Sequence, residues 1–390
     1  MIALKKFIVT QPTRIHFGAG MVESLPQVVR DCGGTKALLV ADPALEQVGL
    51  LAKITAPLAA AGMEYLLFDH VDPEPGLLLA DEGTALAKEN GCDCVIGVGG
   101  GSAMDVAKAI SILITNGGKA EEYLGLGKIK KAGVPKIMVP TTAGTGAEVT
   151  FTAVFINEKT KSKGGMNGDP LYPDAALLDP TLTVTLPPHI TAAPGIDAFV
   201  HAMEAFTSTQ SHALSDMYAL QAMELISRNL PLAYANGADL EARSNMLLGS
   251  LLAGKALATA GVGLIHAMAY PLGGMFGISH GLANAVLMPF VVDYNIIAAP
   301  RRYARIAEIM GYDISGLSRR QAAATAVEAV YNLNNDVAIP TCLADLDIPA
   351  DKIPEMAAIA LTVTRPVENN PRRATLAEVI GLYEMAHEGW

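Results

Sequence analysis

Apolar runs typical of buried strands alternate with helical patterns in the first half of the chain, and this alternation constrains the fold most strongly. Four runs rich in Val, Ile and Leu are predicted as strands, at residues 36–42, 64–71, 94–100 and 136–142. Helical periodicity follows the first three runs, at 49–61, at 78–91 and from the turn at 100 through residue 111. Strands and helices in this order predict a parallel sheet covered by helices on both faces.

Strand signals stop after about residue 185, and long patterns rich in Ala, Leu and Met take their place. Seven helices are predicted there, at 194–209, 213–229, 240–260, 281–296, 300–311, 318–334 and 374–387. The segment 183–195 contains three prolines and marks the change in composition. The sequence therefore predicts an α/β dinucleotide-binding domain over residues 1–185 and an all-α domain over residues 186–390.

Composition limits the possible partners. Hydrophobic residues make up 51% of the 390 residues and charged residues 17%, which is typical of folded domains with large cores. A formal net charge of -11 argues against nucleic acid or an anionic membrane as the main partner. The four cysteines are scattered and form no Cys-x-x-Cys motif, and the N-terminal sequence lacks a signal-peptide pattern, so a cytoplasmic protein with reduced thiols is expected.

No charged side chain occurs between residues 256 and 292, a stretch long enough to span a bilayer. It also contains six glycines, Pro271 and Pro289, and a lipid-facing helix would have to satisfy that interrupted backbone. We therefore expect a buried segment that lines a site, and no membrane partner.

A glycine-rich turn follows the third predicted strand and leads into a helix. Gly99, Gly100, Gly101 and Ser102 let the backbone approach a phosphate closely, and the helix N-terminus provides unpaired N–H groups. The turn departs from the strict G-x-G-x-x-G pattern, and Ser102 could simply cap the helix. Three consecutive glycines exceed what a cap needs, which favours a phosphate site.

A second turn rich in hydroxyl groups follows the fourth predicted strand. Thr141, Thr142 and Thr145 alternate with small residues and can donate to a phosphate or to the nicotinamide amide. Ligands bind at such carboxyl ends of neighbouring parallel strands. Asp42 ends the first strand, where a carboxylate can accept from a ribose 2′-OH and would repel a 2′-phosphate; capping of the next helix is an equal alternative.

One aspartate and three histidines are candidate metal ligands. Asp197 and His201 are four residues apart in a helical pattern and project from one face. His266 and His280 lie in the charge-free stretch, where an imidazole needs a strong partner. The set suits Fe²⁺, Zn²⁺, Mn²⁺, Co²⁺ or Ni²⁺ better than Mg²⁺ or Ca²⁺, although any single histidine could be a satisfied core residue. The remaining histidines are expected on the surface or in loops: His16, His70, His189, His212 and His387.

With these motifs combined, the chain resembles the iron-containing (group III) alcohol dehydrogenases over almost its whole length. The resemblance rests on GGGSAMDVAKA, PTTAGTGAEVT, GIDAFVHAMEA, the segment around His266, SHG at 279–281 and NNPR at 369–372. It implies a dehydroquinate synthase-like fold and NAD(H)-dependent interconversion of a short-chain alcohol and its aldehyde or ketone, with Fe²⁺ as the expected metal. It assigns the metal ligands as Asp197, His201, His266 and His280, and the cofactor contacts as Asp42, Gly99, Gly100, Gly101, Ser102, Thr141, Thr142, Thr145, Lys163 and Leu182.

By position within the resemblance, Thr152, Leu257, Val262 and Arg365 should lie near the substrate. Leu257 and Val262 are apolar and of modest size, which suits a short aliphatic chain. Arg365 could bind an anionic tail through bidentate hydrogen bonds, or it could pair with Glu368 or a helix C-terminus in a structural role. Reduction of a short anionic aldehyde is therefore one alternative function.

Tyr270 stands where many members of the family have a histidine assigned to proton relay. A phenol can pass on a proton, but its ordinary pKa of about 10 makes it a poor base at neutral pH. Hydroxyacid–oxoacid transhydrogenases share the fold and can also carry Tyr here, which makes them the second alternative. A zinc enzyme of the glycerol dehydrogenase type and a non-catalytic binding module fit less well, because four ligands and both loops are present.

The N-terminal segment suggests how the chain assembles. Residues 8–10 and 15–17 have strand-like patterns that could pair across a two-fold axis, as in similar dimers. We therefore expect a homodimer or a higher homo-oligomer.

Overall fold

The computed structural model describes residues 5–72, 74–157 and 162–389. Two compact units are present: Thr10–Thr185, and Leu186–Trp390 together with Met1–Val9. Residues 5–9, which the sequence analysis grouped with the α/β domain, thus lie with the helical unit, where Lys5 Nζ donates to the Ser211 carbonyl at 3.1 Å. His212, expected on the surface or in a loop, lies outside any helix or strand there, but it is buried and stacks on Phe7 with ring centroids 4.1 Å apart.

The unit Thr10–Thr185 combines nine strands with five α-helices among its described residues. Its strands are β1 Arg14–Phe17, β2 Lys36–Ala41, β3 Glu64–Phe68, β4 Cys94–Gly99, β5 Gly125–Leu126, β6 Lys136–Pro140, β7 Thr152–Asn157, β8 Ser162–Asn167 and β9 Ala175–Leu178. Its helices are α1 Leu25–Asp31, α2 Ala44–Gln47, α3 Leu50–Ala60, α4 Leu77–Glu89 and α5 Gly101–Asn116. Helix α5 continues five residues beyond the predicted end.

Six strands form a parallel sheet in the order β1-β9-β6-β4-β2-β3. Its faces bury different residues of the same strands: Leu38 and Val40 of β2 pack into one apolar cluster, and Leu39 packs into the other. Alternate side chains point to opposite faces of a strand, so both faces of β2 must be apolar and covered by helices. This arrangement confirms the α/β fold class.

Strand β9 and the separate sheet β5-β8-β7 were not predicted from the sequence. They contain two to six residues each, too few for a clear periodic signal. Residues 15–17 belong to β1, which pairs in parallel with β9 of the same chain at the edge of the sheet. Residues 8–10 form no strand in the single chain, and their pairing across a two-fold axis stays a prediction.

The second unit is built from helices throughout its described residues. They are α6 Pro188–Thr207, α7 Ala213–Ala235, α8 Leu240–Ala260, α9 Leu264–Phe276, α10 His280–Asn295, α11 Pro300–Ile309, α12 Arg319–Asp336, α13 Ile353–Thr362, α14 Thr364–Asn369 and α15 Leu376–Glu388. All seven predicted helices are present, and α9, α13 and α14 are additional.

The charge-free stretch covers the end of α8, all of α9 and most of α10. Most of its residues are buried among the helices of this unit. No single described helix is long and apolar enough to cross a membrane, although α8 and α9 pass that test as a pair bent by 104°. Gly261 has a φ of 71°, in the left-handed region that glycine tolerates, and it ends α8 at this bend.

Candidate functional site

Three helices of the second unit bring the four candidate metal ligands together. Asp197 and His201 project from one face of α6, His266 lies on α9, and His280 is the first residue of α10. One ligand atom from each residue lies within 4.8 Å of the others. Asp197 Oδ1 is 3.8 Å from Nε2 of His201, 3.8 Å from Nε2 of His266 and 3.9 Å from Nε2 of His280.

Burial and charge make this cluster suitable for a cation. Asp197, His201 and His266 are at most 5% exposed, whereas the His280 side chain is 29% exposed and marks the open side. Burial alone would raise the pKa of Asp197, but the three imidazoles and an amide hydrogen bond from Asn284 hold that pKa below its ordinary value. The carboxylate is therefore ionised and available as an anionic ligand.

The spacing and chemistry of the set fit a divalent metal. Metal–ligand bonds of about 2.1 Å in a tetrahedral site place the ligand atoms roughly 3.4 Å apart, so the three distances from Asp197 Oδ1 need to close by about half an ångström. Asn284 Nδ2 lies 2.7 Å from Asp197 Oδ1 and 3.3 Å from Nε2 of both His266 and His280. The amide nitrogen of Asn284 is therefore within hydrogen-bond distance of three of the four ligand atoms.

Two residues in direct contact with the ligands were not predicted from the sequence. Glu204, on α6, accepts a hydrogen bond from His266 Nδ1, and Asn284, on α10, donates to Asp197. Asn284 Oδ1 is buried without a hydrogen-bond partner among the described residues. Each residue lies one helical turn beyond a predicted ligand, Glu204 three residues after His201 and Asn284 four residues after His280, and that spacing was the available signal.

The glycine-rich turn in the α/β unit joins β4 to α5. Gly99 has a φ of 142°, which glycine adopts without strain, and α5 begins at Gly101 with Gly100 as its N-cap. No side chain caps this helix, so the alternative role of Ser102 as the N-cap does not apply. The N-terminus of α5 thus begins at the glycine-rich turn without a side-chain cap, which is the geometry of helix N-termini that bind anions.

The second cofactor loop packs directly on this turn. Thr141 N donates to the Gly99 carbonyl at 2.9 Å. A Cβ atom on Gly101 would lie 2.7 Å from Thr145 Cγ2, and one on Gly100 would lie 3.5 Å from Thr142 Oγ1. A side chain on Gly101 would therefore crowd Thr145, so this glycine permits the close approach of the two loops.

Asp42 lies beside the glycine-rich turn, because a Cβ atom on Gly99 would be 3.9 Å from Asp42 Cβ. Its Oδ1 atom accepts a hydrogen bond from Ala44 N at 2.7 Å, at the start of α2. The structure thus shows the helix-capping contact and places the residue next to the predicted cofactor loop. Both roles left open by the sequence are compatible with this position.

The other predicted cofactor contacts lie in different surroundings. The Lys163 ammonium group on β8 is 2.6 Å from Glu74, and its side chain is 9% exposed. Leu182 is completely buried and belongs to an apolar cluster of the parallel sheet.

The predicted substrate residues are divided between the two units. Thr152 begins β7 in the α/β unit, and its hydroxyl donates to Asn167 Oδ1 at 2.8 Å. In the helical unit, Leu257 and Val262 are half-buried on either side of the bend between α8 and α9. The segment after Arg365 contacts the same bend, because Asn369 Nδ2 donates to the Val262 carbonyl at 3.3 Å.

Arg365 is exposed on α14 and makes no ion pair or hydrogen bond with any residue in the described ranges. The structural pairing with Glu368 considered above is therefore absent.

Tyr270 on α9 stacks on His280 with ring centroids 6.0 Å apart. Burial, reinforced by the charges of Glu204 and Asp197, raises the pKa of Tyr270 to about 12.

Comparison with known proteins places these features in a family. The profile for iron-containing alcohol dehydrogenase matches residues 12–180, and the profile for the C-terminal region of the Fe-containing alcohol dehydrogenase family matches residues 191–387. Long-chain-alcohol dehydrogenase 1 from Geobacillus thermodenitrificans is 40% identical over 381 residues, which cover 97% of this chain and 96% of that protein.

Solved structures agree with the sequence relatives. The crystal structure of a 1,3-propanediol oxidoreductase matches with a TM-score of 0.96 and 39% identity, and the match covers 98% of this chain and all of that chain. Sulfoacetaldehyde reductase from Bifidobacterium kashiwanohense, in complex with NAD⁺, matches with a TM-score of 0.89 and 28% identity over 98% of this chain and 99% of that chain.

The predicted dehydroquinate synthase-like fold is confirmed by these structural matches. Enzymes of this family use NAD(H) and iron, so the predicted cofactors are confirmed at the level of the family. The chain is an NAD-dependent, metal-dependent oxidoreductase that acts on a small alcohol or aldehyde. It belongs to the iron-containing alcohol dehydrogenase family.

Proposed function

We propose that Asp197, His201, His266 and His280 hold a divalent cation, with Fe²⁺ expected, and that the substrate is a short-chain alcohol or its aldehyde or ketone. The observation that carries the proposal is the convergence of one carboxylate and three imidazoles from three helices within 4.8 Å. When bound, the cation supplies Lewis acidity to the substrate oxygen, and NAD(H) supplies the ring that accepts or donates hydride.

The protein contributes charge and orientation to this chemistry. Asp197 is the only anionic side chain among the four proposed ligands, so a divalent cation there keeps a net positive charge. In the α/β unit, the uncapped N-terminus of α5 is proposed to bind the pyrophosphate. Thr142 and Thr145, which pack on Gly100 and Gly101, are proposed to supply hydroxyl groups to the same cofactor.

Tyr270 is proposed as a hydrogen-bond donor to the substrate oxygen. Burial raises the pKa of Tyr270 to about 12, so the phenol carries its proton at neutral pH and can donate it in a hydrogen bond. Its stacking on His280 holds the ring beside the open side of the ligand cluster.

Catalysis is tested by following NADH absorbance with short alcohols and aldehydes after removal of metal and reconstitution with Fe²⁺ or Zn²⁺. His266→Ala should lose bound metal and turnover while NADH binding persists. His189→Ala is the matched control, because His189 lies exposed on α6, outside the cluster. Full activity in a verified metal-free His266→Ala protein would end the proposal. Exchange between two substrates without release of free NADH would identify a transhydrogenase instead.

A short anionic aldehyde is the second candidate substrate. It is favoured by Arg365, whose guanidinium is exposed and unpaired within the described part of the chain, and by the likeness to a sulfoacetaldehyde reductase. A clamp predicts that Arg365→Ala raises KM for an anionic aldehyde and leaves KM for a neutral aldehyde of similar length unchanged. Arg320→Ala, at an exposed position of α12, serves as the control. Equal effects on both substrates would return the assignment to a neutral alcohol.

A homodimer and a cytoplasmic location complete the proposal. Strand β1 is at the edge of the parallel sheet, and pairing between two copies would cover that edge. All four cysteines are free, which fits a reducing compartment. A monomeric mass by light scattering at micromolar concentration would refute the dimer.

A further inference from the structure

Glu204 is a buried carboxylate beside the ligand cluster but outside the set of four ligands. It lies on α6 seven residues after Asp197 and three residues after His201, on the same helical face, and is 4% exposed. Its Oε2 atom is 2.6 Å from His266 Nδ1. A carboxylate at this depth needs strong partners, and Glu204 has three.

The other two partners are backbone groups next to His266. Gly263 N donates to Oε2 at 2.7 Å, and Ile265 N donates to Oε1 at 2.7 Å. Glu204 therefore ties the turn between α8 and α9 to α6 and at the same time holds the imidazole that follows this turn. Backbone and side chain around His266 are oriented by a single group.

These contacts select one tautomer of His266. An ionised carboxylate only accepts hydrogen bonds, so the proton of the neutral ring resides on Nδ1 and the lone pair on Nε2. The Nε2 atom is the one that lies 3.8 Å from Asp197 Oδ1, within the ligand cluster. In its neutral form the ring thus presents its Nε2 lone pair to the cluster, where a cation requires it.

We propose that Glu204 is a positioning residue that fixes the tautomer and orientation of His266 and thereby increases the affinity of the site for a divalent metal. This inference rests on the proposed cation site. Carboxylates that accept from the second nitrogen of a metal-binding histidine make the ring a better ligand, and their loss weakens metal binding by about 10–100-fold. Glu204 contacts no reacting group and acts only through His266.

Glu204→Gln is the informative variant, and Asn370→Ala is its matched control. A glutamine keeps the length of the side chain but offers one acceptor oxygen, so one of the three N–H donors faces an NH₂ group. Asn370 is also buried and accepts from Leu264 N at 3.3 Å, so it supports the same turn without touching His266. A purely structural role predicts similar behaviour of the two variants.

Metal binding is measured on the full-length metal-free protein with Co²⁺ as the probe, in competition with a chelator. Glu204→Gln should weaken Co²⁺ binding by about 10–100-fold, whereas Asn370→Ala should lower thermal stability and leave the Co²⁺ affinity within about twofold of wild type. Proton NMR of the Co²⁺ form provides a second readout, because Co²⁺ shifts the N–H proton of a bound imidazole far from other signals. In wild type this proton of His266 is hydrogen-bonded to Glu204 and should exchange slowly with water. In Glu204→Gln it should exchange rapidly.

Two results would overturn the inference. One is a Glu204→Gln protein with wild-type Co²⁺ affinity; the other is a wild-type protein whose shifted imidazole protons all exchange rapidly, which remains measurable even if the variant does not fold. Failure of wild type to bind either Co²⁺ or Fe²⁺ is a separate outcome, which would remove the proposed cation site together with this role of Glu204.

Discussion

Glu148 is a buried carboxyl group whose replacement should stabilise the protein. It lies in the short helix Ala147–Val149, just after the second cofactor loop, and is 1% exposed. Its Oε1 atom has no hydrogen-bond partner among the described residues. Burial raises the pKa of Glu148 from its ordinary value of 4.5 to about 7, and a backbone hydrogen bond and Lys108 oppose this only in part.

The sign of the effect on stability follows from proton binding. Between pH 4.5 and about 7 the folded protein keeps the Glu148 proton while the unfolded chain loses it. The contribution of Glu148 to the free energy of unfolding is therefore most favourable below pH 4.5 and is lost as the pH rises towards 7. The full change is about 3 kcal/mol, a substantial part of the roughly 5–15 kcal/mol of a typical domain.

Glu148→Gln replaces the carboxyl with a neutral amide of the same size at every pH. Its free energy of unfolding should equal that of wild type near pH 4.5 and exceed it by up to about 3 kcal/mol at pH 8. Urea unfolding followed by circular dichroism at several pH values between 4.5 and 8 measures this difference. Glu46→Gln, at an exposed position on α2, should show no such trend. A difference independent of pH, or a variant less stable than wild type at pH 8, would refute the reasoning.

Three further predictions concern the α/β unit and the proposed hydrogen-bond donor. Asp42→Gly should improve the use of NADP(H) relative to NAD(H) in steady-state kinetics, and a wild-type enzyme that prefers NADPH would contradict the role of Asp42. Lys108 is fully buried, and its Nζ atom lies 2.8 Å from Asp105 Oδ1. Lys108→Met leaves that carboxylate without its partner and should reduce the free energy of urea unfolding by about 3–5 kcal/mol. Lys119→Met, the control, breaks the ion pair of the exposed Lys119 with Asp81 and should cost less than about 1 kcal/mol. Tyr270→Phe should lower kcat without loss of bound metal, and an unchanged kcat would show that the hydroxyl is not used.

Much of the architecture could be predicted from periodicity alone. Strands β2, β4 and β6 are continuous apolar runs because both of their faces are covered, and the helices that follow β2, β3 and β4 repeat with helical spacing. Short strands such as β5 and β9 gave no comparable signal, because two or four residues are too few to establish a period. The N-terminal segment was grouped with the wrong unit because its packing against Ser211 involves residues about 200 positions away.

The candidate metal site could also be predicted only in part from the sequence. The spacing of Asp197 and His201 on one helical face, and two histidines in a stretch without charges, were sufficient to predict four ligands, because both signals are local in the sequence. Only the tertiary structure reveals that Glu204 holds the tautomer of His266, because the two residues are 62 positions apart and meet only when α6 packs beside α9. Periodicity in the sequence indicates which face of a helix or strand is buried. Which residues contact that face depends on how the elements pack in three dimensions, and no local sequence pattern specifies that packing.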